Sequence, residues 1–235
     1  MKCRENIVRY CTFEDNPAAQ LVFRSGNDNI AYGNVFLRSG GVRVKEASNV
    51  WVYNNYFDGE GLKMRKAPLE LAYAEGHTQN ITLVHNTFHR AMPIKLGGDG
   101  PHAIFANNIF SDPRDTVFVS DNQRSHFVHN LHTGQLGLTP SSGISEVDPL
   151  LIDRGDGVFV PSAKSPAIGA ASSAKTYPRV MPMPTLTFDR DIALDMFGER
   201  RPTKNKTIGA AEMRQQVLRS LEHSCSFLIL LSLCL

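Results

Sequence analysis

At 235 residues, 42% hydrophobic and 20% charged, the chain has the balance of an ordinary globular protein, which excludes a disordered polymer and a multi-span membrane protein. A formal net charge of +2 is too weak to mark a nucleic-acid binder. The charge leans forward, however: residues 1–66 hold ten Lys/Arg against seven Asp/Glu, which favours an anionic ligand there.

The opening "MKCRENIVRYCTF" has no apolar signal region and enters a strand pattern at once. Cys3 and Cys11 sit here and Cys225 and Cys234 at the other end, a spacing that argues against a disulfide framework and against zinc. From this point one pattern recurs: alternating apolar residues, then Asn, one residue, and an aromatic. It is read in "NIVRYCTF" (6–13), "NIAYGNVF" (29–36), "NVWVYNNYF" (49–57), "NITLVHNTF" (80–88), "HAIFANNIF" (102–110) and the degraded "SHFVHNLH" (125–132). The aromatic falls at Phe13, Phe36, Phe57, Phe88 and Phe110, with His132 in the sixth slot, at intervals of 23, 21, 31, 22 and 22. The long interval predicts one turn carrying an insertion of about nine residues. Between these segments lie further strand candidates: "QLVFRSG" (20–26), "GVRVKE" (41–46), "LELAYAE" (69–75), "IKLGG" (94–98) and "TVFVSD" (116–121).

Short strands broken by Gly, Asn and Asp, with no helical periodicity, predict an all-β chain. A period of about 22 residues fits either a leucine-rich solenoid or a right-handed parallel β-helix. The apolar slots hold Ile, Val, Tyr and Phe rather than Leu, so the β-helix fits better. Cys11 fills the slot two residues before the first aromatic, and then come Asn34, Asn55, Asn86, Asn108 and Asn130. Stacked coils would let these amides bond along the stack, and Asn also tolerates the left-handed backbone of a tight turn. The aromatics would stack inside. Both sets are read as structural.

After residue 132 the repeat fades into turn-rich sequence, and 133–214 is expected to be an irregular edge layer closing the open end of the solenoid 1–132. The tail 215–235 reads as helical or disordered. Its "SFLILLSLCL" is ten residues, half the ~20 that span a bilayer, so no membrane anchor is expected.

Several stretches, in order, resemble polysaccharide lyase family 6, the β-helical family of alginate lyases and chondroitinase B. "KCRENIVRYCTF" is similar to the family's Lys-Ser-x-x-Asn-x-x-Arg-x-Asn-Thr-Phe strand, and "LVFRSGNDNIAYGNVFL" to its Leu-x-Leu-Arg-His-Gly-Asn strand and the Asn-x-Phe-Phe after it. "GGVRV" with "VYNNYFDG" resembles Gly-Gly-Ile-Arg-Val and Asn-Asn-Tyr-Phe, while "VDPLL", "SPAIGAA" and "TIGAAE" resemble the closing coils. The likeness runs from residue 2 to about 212.

The resemblance implies β-elimination on a uronic-acid polymer, alginate first and dermatan or chondroitin next. By position Lys2 matches the family base, Arg24 the residue proposed as acid, and Arg43 an arginine that binds substrate. Ser25 stands where the family has a His after the arginine, and Asn49 where it has a His before the Asn-Asn-Tyr-Phe strand; both are expected substrate contacts. Lys2 and Arg24 are 22 residues apart, one coil, which would set them side by side. A neighbouring cation lowers a lysine pKa, as a base requires. Arg24, which hardly deprotonates, suits alkoxide stabilisation better than proton donation. Arg43 would extend the cationic row and hold a carboxylate in bidentate fashion. Lys45, Lys63, Arg65, Lys66 and Lys95 read as solvated surface, and His77, His85, His89 and His102 as turn or groove residues without metal spacing.

The family also implies Ca²⁺, held by an Asn and a Glu-x-Glu pair that lie upstream of the Lys; no counterpart is found here, so the chain reads as a fragment of a longer lyase, weakly active or inactive alone. An acidic polysaccharide is the expected partner of a monomer, with no nucleic acid or membrane, and the family implies a secreted or periplasmic protein. Two other classes compete. A β-helix glycoside hydrolase would need paired Asp on the groove coils, whereas Asp gathers in 153–157 and 189–195. A non-catalytic carbohydrate-binding or structural β-helix needs no catalytic group at all.

Overall fold

The computed structural model describes residues 4–17, 20–60, 67–72, 78–97, 103–120, 125–139, 142–173 and 193–213. Among the described residues eighteen short strands alternate among three parallel sheets, the successive coils of a right-handed solenoid stacking strand on strand in each. Sheet A holds β1 (Ile7–Arg9), β4 (Asn27–Tyr32), β7 (Ser48–Tyr53), β10 (Gln79–Val84), β13 (Ala103–Ala106) and β16 (His126–Val128). Sheet B holds β2 (Thr12–Glu14), β5 (Val35–Leu37), β8 (Tyr56–Asp58), β11 (Thr87–His89), β14 (Ile109–Ser111), β17 (Asn130–His132) and β18 (Ile144–Glu146). Sheet C holds β3 (Leu21–Arg24), β6 (Val42–Lys45), β9 (Leu69–Ala72), β12 (Ile94–Leu96) and β15 (Phe118–Ser120). An antiparallel pair, β19 (Leu151–Asp153) and β20 (Phe159–Pro161), follows.

Each Asn-centred segment of the sequence is therefore two strands and a corner. The corner turns on the residue before the Asn: Tyr10, Gly33, Asn54, His85, Asn107 and His129 take positive φ, between 50° and 62°. The left-handed backbone expected of the recurring Asn thus belongs to its predecessor. The Asn itself is free to bond along the stack. Asn34, Asn55, Asn86 and Asn108 each donate Nδ2 to the next coil's Asn Oδ1 at 2.9–3.0 Å. The same Oδ1 atoms accept the backbone N–H of the coil before, and a second Nδ2 hydrogen reaches a carbonyl there, as from Asn86 to Val52. All five amides are buried, from Asn34 to Asn130. Burial without these bonds would be costly, so the ladder fixes which rung sits on which.

Beside it the phenyl rings of Phe13, Phe36, Phe57, Phe88 and Phe110 stack with centroids 4.6–5.2 Å apart, matching the spacing of strands about 4.8 Å apart. Val42, Val44, Val50, Val52, Ile81 and Leu83 complete the interior. The insertion expected after Phe57 is shared between two connections. Ten residues (59–68) separate β8 from β9, where 38–41 separate β5 from β6, and 73–78 follow β9, where 46–47 follow β6.

Within the segment expected to close the end of the solenoid, β18 adds to sheet B. Described residues in 151–171 and 196–213 lie along the flank. Val158, Val160, Met196 and Ala210 pack on Leu37 and Tyr56, and Ile208 and Ala167 on Ile109 and Leu131, covering the outer face of sheet B. On sheet A the outer residues Ile30, Trp51, Tyr53, Val84 and Ile104 are buried as well. Sheet C keeps an outer face with charged residues. The tail 215–235, Lys2 and Cys3 lie outside the described residues.

Candidate functional site

Along β6 burial alternates, Val42 and Val44 inward, Arg43 and Lys45 outward. The same alternation turns Val22 and Arg24 out from β3 around the buried Phe23. Parallel pairing aligns these outward positions into two rows. One runs Val22, Arg43, Glu70, Lys95, Val119; the other sets Arg24 against Lys45. Arg24 and Arg43 thus share a face but are offset by two residues, and the cation in register with Arg24 is Lys45. The even row of Arg24 and Arg43 drawn from sequence is corrected accordingly. Lys45, read as solvated surface, belongs to the row, and the period-two spacing of Arg43 and Lys45 was the signal for it.

Two carboxylates sit among the four cations. Glu46 lies 3.8 Å from Arg24 Nε and 3.5 Å from Lys45 Nζ, and it accepts the Ser25 hydroxyl at 3.0 Å. The Ser25 hydrogen bond first, then the charges of Arg24 and Lys45, hold its carboxyl below the usual range. Glu70 Oε1 stands 3.2 Å from Arg43 Nε. That ion pair is not aligned as a hydrogen bond, because Arg43 Nε is buried without a hydrogen-bond partner. Arg24 is 62% exposed, and Lys95 is exposed beside Glu70 with no ion pair among the described residues.

The glycine before the arginine in "GGVRV" has a steric reason. A methyl on Gly41 would fall inside contact distance of the Pro68 carbonyl oxygen and the Phe57 ring. Gly41 and Pro68 carbonyls accept from Leu21 and Val42, so the close approach sets the height of β6, and with it Arg43.

Asn49 starts sheet A around the corner. Its Nδ2 donates to Asp28 and its Oδ1 accepts from Asn80, both at 3.1 Å, a second amide ladder that engages both of its polar atoms. Ser25 is likewise occupied by Glu46. Lys2, His77, His102, Lys63, Arg65 and Lys66 fall outside the described residues. His85 is buried at a corner and His89 under Phe159 on sheet B, ring centroids 4.4 Å apart. Asp153 and Asp156 cap backbone N–H groups in the β19–β20 turn, on the sheet B side, and Cys11 is a free thiol. Among the described residues no three His, Cys, Asp or Glu come together as a metal site. With Glu46 and Glu70 already engaged by cations, these residues do not fit a Ca²⁺ centre.

The stacked three-sheet coil defines a right-handed parallel β-helix, and residues 1–143 match the family described as right-handed beta helix region. The chain belongs to that family. Among solved structures it is similar in fold to the PL6 family alginate lyase AlyGC, with a TM-score of 0.55 and 21% identity over 76% of this chain and 29% of that one. An arginine-to-alanine variant of AlyGC gives a TM-score of 0.57 and 20% identity, covering 68% of this chain and 25% of the variant. The chain therefore spans less than a third of the length of the lyase it matches. No curated protein matches it. Among the described residues no helix is long and apolar enough to cross a membrane.

Proposed function

We propose that the outer face of sheet C binds a uronic-acid polysaccharide, alginate in first place, and that the chain is part of a lyase cleaving it by β-elimination. The observation that carries this reading is the set of outward cations Arg24, Arg43, Lys45 and Lys95 gathered on the outer face of sheet C. The shared fold with an alginate lyase supports it.

In the elimination a base takes the C5 proton, the electron pair becomes the C4=C5 bond, and C4–O4 breaks, leaving an alkoxide that takes up a proton. Arg43 suits the uronate carboxylate: its guanidinium is half-exposed, and polymer carboxylate would replace Glu70 as its partner. Arg24, the most exposed cation of the pair, suits the leaving O4 oxygen. Lys45, 3.5 Å from Glu46, serves as a further binder of the polymer's carboxylates. The base role stays with Lys2 by resemblance.

The test is incubation with alginate, dermatan sulfate and chondroitin, following the ultraviolet absorbance of the new double bond, with Lys2→Ala and Arg24→Ala alongside. Chromophore from wild type and none from either variant supports the lyase. A non-catalytic carbohydrate-binding module is the second reading, favoured by the pairing of Glu46 and Glu70 with the face's own cations. Saturable binding with no chromophore in any form establishes it, and reducing sugar without chromophore indicates a hydrolase.

A further inference from the structure

Of the six left-handed corners between sheets A and B, the last four reach out of the solenoid. Asn54 donates Nδ2 to the Leu194 carbonyl at 2.7 Å and accepts from Arg201 Nη2 at 3.1 Å. Asn107 Oδ1 accepts from Ser172 N and Oγ at 2.9 and 3.0 Å, and its Nδ2 donates to the Ser172 carbonyl at 3.1 Å. The His129 ring nitrogen lies 3.4 Å from the Ala170 carbonyl. Between Asn54 and Asn107 stands His85, 1% exposed, its Nε2 3.5 Å from the Asn107 amide nitrogen. Three corner side chains, Asn54, Asn107 and His129, thus fasten the C-terminal layer, and His85 is buried in the row between the first two.

We propose that His85 makes this fastening pH-sensitive: with a neutral imidazole the layer 193–213 stays clasped to the corners, and protonation releases it.

The geometry explains why a proton is unwelcome. Arg201, with no exposed side-chain surface, already crosses this spot and donates to the carbonyls of Thr207, Gly209 and Ala210. Glu212 pairs with Arg201 at 3.1 Å and also takes the Thr207 N–H, while Asp195 takes the Glu212 N–H. The charged groups facing His85 are thus the cations Arg201 and Lys206, and the adjoining corners add only the uncharged Asn54 and Asn107. The nearby carboxylates are already engaged. An imidazolium here would be a second buried cation without a counter-ion of its own. Burial first, then Arg201 and Lys206, hold the imidazole well below its usual range, although the Thr207 and Gly209 carbonyls pull the other way. For a base whose folded value lies below its unfolded one, stability is complete above about pH 6.5 and falls as pH drops below it.

Hydrogen exchange of the full chain between pH 8 and 5, expressed as protection factors, tests this. The expected result is protection of 193–213 falling up to about tenfold per pH unit below about 6.5, while strand β11 (Thr87–His89) keeps its protection. His85→Asn should abolish the slope; Asn occupies the same left-handed corner at Asn54 and Asn107, so the variant is compatible with the fold. Lys206→Gln, which removes one facing cation, should leave the onset near pH 6.5 and make the total loss of protection smaller. His129→Asn should leave the slope as in wild type. An equal slope in wild type and His85→Asn, or none in wild type, overturns the proposal.

Discussion

Arg24 and Lys45 stand in register on adjacent strands of sheet C, and Glu46 lies within 3.8 Å of one and 3.5 Å of the other. The carboxylate occupies the cations that a polyanion would use. Glu70 does the same for Arg43 at 3.2 Å.

Removing that competition should strengthen binding. Glu70→Gln and Glu46→Gln are each expected to tighten binding of an alginate oligomer several-fold at low salt, because the polymer no longer displaces a fixed carboxylate. Titration calorimetry at two ionic strengths checks it. The gain should shrink as salt rises, since these side chains are partly exposed and screened. Unchanged affinity in both variants would locate the binding face elsewhere.

The amide ladder should be worth more than any single surface contact. Asn86→Ala orphans the buried Asn55 backbone N–H and removes the amide that the Asn55 side chain and the Val52 carbonyl bond to. A loss of about 3 kcal/mol is expected in denaturant unfolding. Asn49→Ala, in the half-exposed second ladder, should cost under about 1 kcal/mol.

Gly41→Ala combines stability and site. The added methyl meets backbone of the next coil, which cannot rotate away. We expect a cost of about 2 kcal/mol and weaker polyanion binding, since β6 carries Arg43 and Lys45. Thermal melting together with the binding titration separates this from Arg43→Ala, which should lower affinity with little change in melting temperature.

Arg201 and Glu212 form the buried ion pair of the flank, with side chains 0% and 3% exposed. Arg201→Met strands Glu212 and three carbonyls and should cost about 4 kcal/mol. Arg201→Met with Glu212→Gln should recover part of that loss, because no buried charge is left unpaired. Chemical denaturation of the three forms gives the comparison.

The β-helix was legible in the repeat because period-22 patterning, a fixed Asn slot and a fixed aromatic slot act locally, each coil imposing the same demand on the next. The Asn ladder and the phenyl stack follow from that demand. The corner was misplaced by one residue, since Asn, His, Gly and Tyr all serve at the left-handed position and no single residue type marks it.

By itself the chain determined that Arg24, Arg43 and Lys45 would point away from the core, for side-chain direction follows from alternation along one strand. Which cation faces which, and which carboxylate answers it, was decided only by tertiary structure. Register between coils depends on loop lengths and on close approaches such as Gly41 to Pro68, which a 22-residue count places no better than to a residue or two. The same holds for the flank. Arg201 meets Asn54 across 147 positions of sequence, and nothing local to either residue announces the other.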